Sequence, residues 1–252
     1  AVAAAVERSA VSPESIEEVV MGCVLPAGLR QAPARQAALG AGLPMGTPCT
    51  TINKMCGSGM KATMLAHDHI LAGSGRIAIA GGLESMSNAP YLLPKARGGY
   101  RLGNGELLDH MFVDGVEDAY EPGKLMGGFA EDTAQHYQFT RKQQDEFAIE
   151  SLRRARKANE QGYFAEETIK INGETRKKKF VIERDELPFS AQPEKIPSLK
   201  PAFRKEGTVT AANSSAISDG AAALLLMLES QAEKLGLEPL AKIVGHTTQS
   251  QE

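Results

Sequence analysis

One strand-to-helix turn decides the fold of this chain: Asn53-Lys54-Met55-Cys56-Gly57-Ser58-Gly59-Met60-Lys61-Ala62. Before this turn, Thr47 to Asn53 has the composition of a short strand. After it, Met60 to Ala72 carries apolar residues with the helical period. Further strands are predicted within Ile16 to Leu25 and at Arg76 to Ala80. Strand and helix therefore alternate at βαβ spacing as far as Ser85, which predicts an α/β layered fold.

Cys56 is the first candidate for chemistry because it lies where a strand gives way to a helix. The positive end of a helix dipole and unpaired backbone N–H groups stabilise a thiolate, the nucleophilic form of cysteine. Gly57 and Gly59 are expected to allow a tight turn and the approach of a substrate. A buried structural cysteine is the alternative, because free cysteines are among the most buried residues.

The same turn also matches a dinucleotide-binding pattern. Residues 57–62 read G-x-G-x-x-A, and Glu84 follows the next strand, where a ribose-binding acid would stand. The preceding strand is polar, however, and Glu84 lies beyond the usual spacing of about 20 residues. An NAD-dependent oxidoreductase is therefore a weak alternative.

A second Gly/Ser-rich turn spans Asn213 to Gly220, between a predicted strand at Thr208–Thr210 and a predicted apolar helix at Ala221–Lys234. Its backbone N–H groups and hydroxyls suit phosphate or amide contacts. Taken alone, the turn is more often a plain N-cap, with Ser218 or Asp219 capping the helix that begins at Ala221. Ile243-Val244 is predicted to return to strand.

The basic run and the histidines are weaker evidence of function than the two turns described above. The basic run at residues 176–179 could attract a polyanionic cofactor, but such a run is more often one solvated strand face. His67 and His69 are two apart and therefore on different faces of their helix, which makes them poor joint ligands. The sequence therefore predicts no metal site.

Composition excludes several classes. The net charge of −3 and pI of about 6.0 give no basic footprint for nucleic acid, and Trp is absent. The longest apolar run, Ala221 to Leu228, is far short of the roughly 20 residues of a membrane span. Three cysteines (Cys23, Cys49 and Cys56), an odd number, are too few for a disulfide framework and indicate a reducing compartment; the cytoplasmic location that we expect goes with the family resemblance given below.

Changes in composition along the chain predict a domain that is interrupted by an insertion. From Ser87 to about Gly207, Gly, Pro and charged residues dominate, with helical patches at Phe129–Tyr137 and Thr140–Gln161. The second patch opens on Thr140-Arg141-Lys142-Gln143, which fits a capping box, and its acidic first turn holds Asp145 and Glu146. We predict a domain in two parts, 1–86 and 208–252, around an inserted loop domain at 87–207. Both chain ends read as the interior of a domain, so we expect a piece of a longer polypeptide.

Three separated motifs resemble those of thiolases, of the acetyl-CoA acetyltransferase type. They are the nucleophile motif at residues 53–62, the stretch Gly81–Tyr91, and Gly207–Ser215 followed by Ser218–Ala223. They occur in the family's order, and the likeness runs from residue 1 to 252.

The resemblance implies a fold and a chemistry. A thiolase half is a mixed five-stranded sheet between helices with an inserted loop domain, and here the second half is absent. We expect the family's first strand, near the middle of the sheet, to be missing as well. The implied activity is Claisen condensation of acetyl-CoA or thiolytic cleavage of 3-ketoacyl-CoA in fatty acid metabolism. Acyl-CoA and CoA are the implied partners, in a homotetramer or homodimer with no permanently bound cofactor.

The resemblance also implies roles for particular residues. Cys56 would carry the acyl group as an S-acyl enzyme. The residues that would line the coenzyme A and acyl path are Ser215, Ser214, Ala211, Phe203, Leu125 and Met126. Leu125 stands where the family often has His in a His-Met-Gly segment.

The family's acid/base groups have no counterpart in these residues. In thiolases, a His in a Gly-His-Pro segment activates the nucleophile, and a second Cys in a Gly-rich loop exchanges protons. No histidine here precedes proline, and neither Cys23 nor Cys49 lies in such a loop. The alternative function is therefore an incomplete, non-catalytic acyl-CoA-binding fragment.

Overall fold

A computed structural model describes residues 1–174 and 179–250. The chain forms two compact units, each described by itself below. The first comprises Ala1–Gly115 and Ser218–Glu252, and the second comprises Val116–Ile217. The second unit therefore begins and ends later in the chain than the predicted insertion at 87–207.

The strands and helices are numbered in chain order. The strands are β1 (Glu18–Gly22), β2 (Cys49–Ile52), β3 (Ile77–Ser85), β4 (Tyr91–Leu92), β5 (Leu108–Asp109), β6 (Ile171–Glu174), β7 (Lys179–Ile182) and β8 (Asp219–Met227). The α-helices are α1 (Val2–Ser9), α2 (Pro33–Gly40), α3 (Ser58–Leu71), α4 (Met126–His136), α5 (Arg141–Glu160), α6 (Leu187–Ser190) and α7 (Glu229–Leu235). Shorter helical turns are Pro13–Ser15, Met86–Asn88, Ala96–Gly98, Phe112–Val116 and Pro193–Ser198.

The first unit is built on a mixed sheet with the strand order β2-β1-β3-β8. β1 is parallel to both β2 and β3, whereas β8 is antiparallel to β3. The parallel strands are linked through helices, as their crossover connections require. The predicted α/β class and mixed sheet are confirmed, and the described strands of this sheet number four rather than five.

Alternating side chains send the two faces of β1 into two different cores. Val19 and Met21 pack with α1 and α2, whereas Val20 packs with α3. This period of two is the geometry of a strand that is covered on both faces. The sheet is therefore a layer between helices, and α3 alone of these three lies on the face opposite to α1.

Small residues bring α3 close to the sheet. Ala62 and Ala66 of α3 are fully buried against Val20, Ala78 and Ala80. Without long side chains at this interface, the helix backbone can approach the strands closely. The start of α3 is therefore held at a fixed height over the sheet.

The tightest approach is at Gly22, the last residue of β1. A Cβ atom on Gly22 would lie 2.5 Å from the carbonyl carbon of Ser58 and 2.7 Å from the amide nitrogen of Gly59. Across the same contact, a Cβ on Gly82 would lie 3.3 Å from the Cα of Gly59. The first turn of α3 therefore rests on a part of the sheet where only glycine fits.

The predicted helix at Ala221–Lys234 is wrong. Residues 219–227 form strand β8, paired along its whole length with β3 from Ser85↔Asp219 to Ile77↔Met227, and only the short α7 follows. A continuous run of Ala and Leu has no period that separates a buried strand from a buried helix. Pairing with the open edge of β3 decides in favour of the strand.

Three other expectations about strands differ from the structure. Neither Thr208–Thr210 nor Ile243–Val244 lies in a strand of the described residues. The four strands of the sheet are direct hydrogen-bonded neighbours, so the expectation of a missing strand near the middle is wrong. Positions for further pairing lie only at the outer edges, along β2 and β8.

The chain leaves the sheet after β3 and returns to it at β8. At this point Asp219 accepts hydrogen bonds from the backbone N–H of Ser87, at 2.9 Å, and from the Ser87 hydroxyl. These bonds lower the pKa of the Asp219 carboxyl, the hydroxyl contributing more than the amide. Asp219 therefore holds the segment that leaves β3, at Ser87, against the start of β8. It does not cap a helix.

The second unit is mostly helical, around α4 and α5. The predicted capping box at the start of α5 is confirmed, since Thr140 and Gln143 exchange side-chain and backbone hydrogen bonds. β6 and β7 form an antiparallel pair. Residues 176–178 of the basic run lie outside the described residues, whereas Lys179 opens β7. Among the described residues, no helix has the length and apolar character needed to cross a bilayer.

Replacing Gly22 tests the contact under α3. We expect Gly22→Ala to lower the free energy of unfolding by about 1–3 kcal/mol, the range found for overpacked cores, because backbone atoms of Ser58 and Gly59 must move. Chemical denaturation measures the change. Gly40→Ala is the matched control, since a Cβ there meets nothing within 4 Å. Equal stability of the two variants would contradict the proposed contact.

Candidate active site

The turn before α3 holds Cys56 through a small set of hydrogen bonds. The Asn53 Oδ1 accepts from the Met55 N–H at 2.8 Å, and the Ser58 hydroxyl oxygen accepts from the Lys54 N–H at 2.8 Å. The same hydroxyl donates to the Met55 carbonyl at 2.6 Å. Backbone bonds from Gly57 to Lys54 and from Ser58 to Met55 complete the turn. Cys56 is therefore presented by a rigid loop.

The sharp bend of this turn falls on Met55 rather than on a glycine. Met55 has a φ of 50°, in the left-handed region, whereas Gly57 has an ordinary φ of −89°. Gly57 therefore supplies no unusual backbone angle, and Gly59 serves packing against β3, with Gly81 and Gly82 at 3.6 Å from its would-be Cβ. The expectation that Gly57 makes the tight turn is wrong.

Cys56 is exposed and lies just ahead of the first residues of α3. Gly57 occupies the N-cap position, and no side chain caps the helix. The N–H groups of Gly57 and Ser58 are used within the turn. Those of Gly59 and Met60 come too early in α3 to have an acceptor inside the helix, so this end offers donors and partial positive charge near the thiol. The alternative of a buried structural cysteine is wrong.

The other two cysteines lie in different surroundings. Cys23 is buried, and burial, followed by the charge and hydrogen bonding of Glu84, raises the pKa of its thiol to about 11. Burial likewise raises the pKa of the half-buried Cys49 thiol. Both shifts disfavour the thiolate, so Cys56 is the cysteine available for nucleophilic chemistry.

Glu84 has a structural task in place of the ribose contact. Its carboxylate accepts hydrogen bonds from the N–H groups of Val24 and Leu25, both at 2.9 Å. These bonds hold the segment that follows β1 beside the end of β3. Since both oxygens are engaged, the structure offers no support for the dinucleotide alternative.

In the second unit, a buried carboxylate holds the start of the second Gly/Ser-rich segment. Glu131 of α4 is 3% exposed and accepts from the N–H of Thr208 at 2.9 Å and from that of Val209 at 2.8 Å. A Cβ on Gly207 would lie 2.0 Å from its Oε1. The chain therefore passes directly over this carboxylate, which satisfies two backbone donors at once.

A second buried carboxylate fixes the turn that follows. Asp145 of α5 accepts from the Asn213 amide at 3.1 Å and from Arg141 at 2.7 Å. Asn213 in turn accepts from the Thr210 N–H at 2.7 Å, and Ser214 donates to the Thr210 carbonyl at 2.6 Å. Arg141 also donates to the carbonyl oxygens of residues 196 and 199. Hydrogen bonds to Asp145 of α5 and within the turn therefore hold the turn at 210–214 in place.

Part of the 210–214 turn, and Ser215 after it, still faces solvent. Ala211 and Ser215 are exposed, and Ser214 is half-buried. The Ala202 N–H donates to the Val209 carbonyl at 2.9 Å, which places the segment of Phe203 beside the turn.

Phe203 meets the start of α4. A Cβ on Gly127 would lie only 2.3 Å from the Phe203 ring, so the ring sits directly on this glycine. Leu125 is the N-cap residue of α4 and Met126 its first residue, and Met126 is exposed. Phe203 is therefore brought to the Leu125–Gly127 segment, while Cys56 belongs to the other unit.

Comparison with known proteins agrees with these motifs. The family model for the N-terminal domain of thiolase matches residues 1–230. This chain belongs to the thiolase family.

Curated thiolase relatives carry the name acetyl-CoA acetyltransferase. The protein from Escherichia coli is 49% identical over 97% of this chain, and that from Schizosaccharomyces pombe is 47% identical over 97%. Among solved structures, a thiolase from Ascaris suum in complex with coenzyme A is 41% identical, with a TM-score of 0.87 over 94% of this chain. This chain spans 62% of those two relatives and 60% of that structure.

Sequence reasoning missed the supports of the thiolase turn in the second unit. The sequence predicted only that Asp145 belongs to an acidic first turn of a helix; the structure shows that it is buried and paired with Arg141 and Asn213. The Arg141–Asp145 spacing of four residues was the available signal. No local sequence signal indicated the role of Glu131, because its hydrogen-bond partners lie far along the chain.

Alkylation should distinguish the three cysteines. We expect iodoacetamide to modify Cys56 first at pH 8, because it is exposed, and to leave Cys23 unmodified, because its pKa is raised to about 11. Peptide mass spectrometry over time gives the three rates. Cys49→Ser is the control and should leave the Cys56 rate unchanged; protection of Cys56 in folded protein would rule out an accessible nucleophile.

Neutralising Asp145 should loosen the 210–214 turn. We expect Asp145→Asn to cost about 2 kcal/mol of unfolding free energy, because Arg141 loses a charged hydrogen-bond acceptor. Amide exchange at Thr210 and Asn213 should also accelerate. Glu146→Gln is the matched control, since its ion pair with Lys142 is exposed and spans 3.7 Å. If the two variants behave alike, Asp145 does not support the turn.

Proposed function

We propose that Cys56 accepts an acyl group from a coenzyme A thioester, and that the chain is the nucleophile-bearing part of an acetyl-CoA acetyltransferase. The observation that carries this proposal is the exposed thiol at the uncapped start of α3, with the other two thiols at least half-buried. The relatives' name, acetyl-CoA acetyltransferase, supports the choice of acyl donor.

The proposed step is a thioester exchange. The Cys56 thiolate attacks the carbonyl carbon of acetyl-CoA, a new C–S bond forms, and the bond to the coenzyme sulfur breaks. Coenzyme A leaves as a thiolate and takes a proton from solvent. Donors at the start of α3 suit the negative charge that develops on the carbonyl oxygen.

The second unit supplies the proposed coenzyme A contacts. The exposed Ser215 and Ala211 lie on a turn that two buried carboxylates hold in shape, and Phe203 adds an apolar ring beside it. A preorganised turn of this kind binds an extended chain without first having to be ordered. Leu125 and Met126 complete the proposed acyl path.

The complete reaction is a proposal for the longer protein that these relatives represent. It is the condensation of two acetyl-CoA molecules, or the thiolytic cleavage of a 3-ketoacyl-CoA. Assembly as a homodimer or homotetramer, a place in fatty acid metabolism and a cytoplasmic location stay predictions from the resemblance.

Acetyl transfer tests the proposal directly. Incubation with acetyl-labelled acetyl-CoA should label the wild-type chain at one site, Cys56, with release of one coenzyme A. Cys56→Ser should fall to background because the nucleophile is lost. Cys49→Ser is the matched control, a partly exposed cysteine of the same unit, and should label like the wild type.

A measurement of coenzyme A binding distinguishes acyl transfer from the alternative of a non-catalytic acyl-CoA-binding fragment. Calorimetry with Cys56→Ser, which keeps every proposed coenzyme A contact, should still show binding. Binding by the wild type without any labelling would reject acyl transfer and favour the non-catalytic acyl-CoA-binding fragment. Labelling of Cys49 in place of Cys56 would reject the assigned nucleophile.

A further inference from the structure

Three potential metal ligands from distant parts of the sequence meet on α3. They are His67 and Asp68 of α3, and His246 from the segment after α7, whose ligating atoms all lie within 4.8 Å of one another. The His246 Nε2 is 2.9 Å from the Asp68 Oδ1, although the two residues are 178 positions apart in the chain. The His67 Nδ1 lies 3.5 Å from the same carboxylate oxygen.

His67 is the unusual member of this group. Its side chain is only 18% exposed, and its Nδ1 is buried without a hydrogen-bond partner among the described residues. A buried polar atom without a partner costs about 1–3 kcal/mol, so native structures seldom leave one. The ring of His246 stands edge-on to that of His67, with 5.1 Å between centroids. The His67 Nδ1 therefore lies 3.5 Å from the Asp68 carboxylate without making a hydrogen bond, beside the ring of His246.

The His246–Asp68 contact accounts for only part of the arrangement. This pair leaves the His67 Nδ1 with no hydrogen bond among the described residues and only a 3.5 Å contact with the Asp68 carboxylate. A cation shared by all three would satisfy every one of them. Two imidazoles and one carboxylate form a donor set that suits zinc and neighbouring divalent transition metals.

The spacing of the ligands is compatible with such an ion. Metal–ligand bonds of about 2.0–2.2 Å place the donors of a tetrahedral zinc ion about 3.3 Å apart. Two of the contacts here are 2.9 and 3.5 Å, and the third stays within 4.8 Å. Asp68 is 56% exposed, which leaves the solvent side open for a water ligand.

We propose that His67, Asp68 and His246 bind a divalent transition metal ion, with zinc the best match, and that the ion fastens the segment around His246 to α3. A second contact of this segment lies one turn away, where the Thr248 hydroxyl meets the Met64 sulfur at 3.9 Å. The proposal is independent of acyl transfer, because it involves neither Cys56 nor the second unit.

Cobalt(II) is the probe, since its visible absorption reports the ligands. The untagged 252-residue chain carries Cys56→Ser, which removes the exposed thiolate as a competing ligand. We expect one Co²⁺ per chain, a visible band without thiolate charge transfer, displacement by Zn²⁺, and a melting temperature that rises with metal concentration.

Variants assign the ligands. His67→Ala, Asp68→Asn and His246→Ala should each weaken Co²⁺ binding by more than about tenfold, the loss that even an outer-shell change can cause. His69→Ala is the matched control, a histidine of the same helix outside the cluster, and should bind as the parent does. Circular dichroism without metal checks that each variant is folded, and any unfolded variant is replaced by the corresponding glutamine substitution.

Two results would overturn the proposal. One is a parent chain that shows no Co²⁺ spectrum and no Zn²⁺ heat in calorimetry; the cluster would then be only an ion pair. The other is binding that His69→Ala weakens as much as His246→Ala does, which would place the metal elsewhere on the helix.

Discussion

The contact between the first turn of α3 and the sheet is the constraint on which the site depends. Gly22 and Gly82 lie on neighbouring strands and both meet the backbone of α3; a Cβ would collide with Ser58 and Gly59 at Gly22 and would be tightly crowded by Gly59 at Gly82. Because backbone meets backbone, the height and direction of the helix start are fixed without adjustable side chains. Cys56, just ahead of that turn, inherits its position from this contact, and its exposure follows from lying at the end of the strands.

Carboxylates that are buried or half-buried provide the second organising element. The buried Glu131 and Asp145 and the half-buried Glu84 each accept hydrogen bonds from groups in a loop, and two of the three bind backbone N–H groups directly. Charged acceptors make stronger hydrogen bonds than neutral ones, so one carboxylate can hold a segment that has no strand or helix of its own. In this protein the turn proposed to contact coenzyme A is shaped by two such carboxylates, Glu131 and Asp145, whereas the sheet and helices of the first unit are shaped by apolar packing.

Sequence reasoning succeeded where the signal was local and failed where the deciding partner was distant. The alternation of strand and helix, the capping box at Thr140 and the placement of Cys56 all rest on neighbouring residues. The run at 221–234 was ambiguous, because Ala and Leu suit helix and strand equally and only the edge of β3 decides between them. The spacing of Arg141 and Asp145 within α5 could indicate their ion pair, but the contact of Asp145 with Asn213 and the meeting of His67 with His246 depend on residues far along the chain. The glycine at 57 looked like the bend because glycine usually is, yet Met55 adopts that angle.

The order of the strands along the chain sets a timetable for folding during synthesis. β1, β2 and β3 are synthesised in succession, but β8, the second neighbour of β3, is synthesised much later. The hydrogen-bonded residues Ser87 and Asp219 are 132 positions apart. At ribosomal rates this interval lasts on the order of 10 s. Throughout it, one edge of β3 has no partner and can pair with another nascent chain. Crowded polysomes are thus where this fold is most vulnerable, and chaperone capture would be most useful before residue 227 emerges.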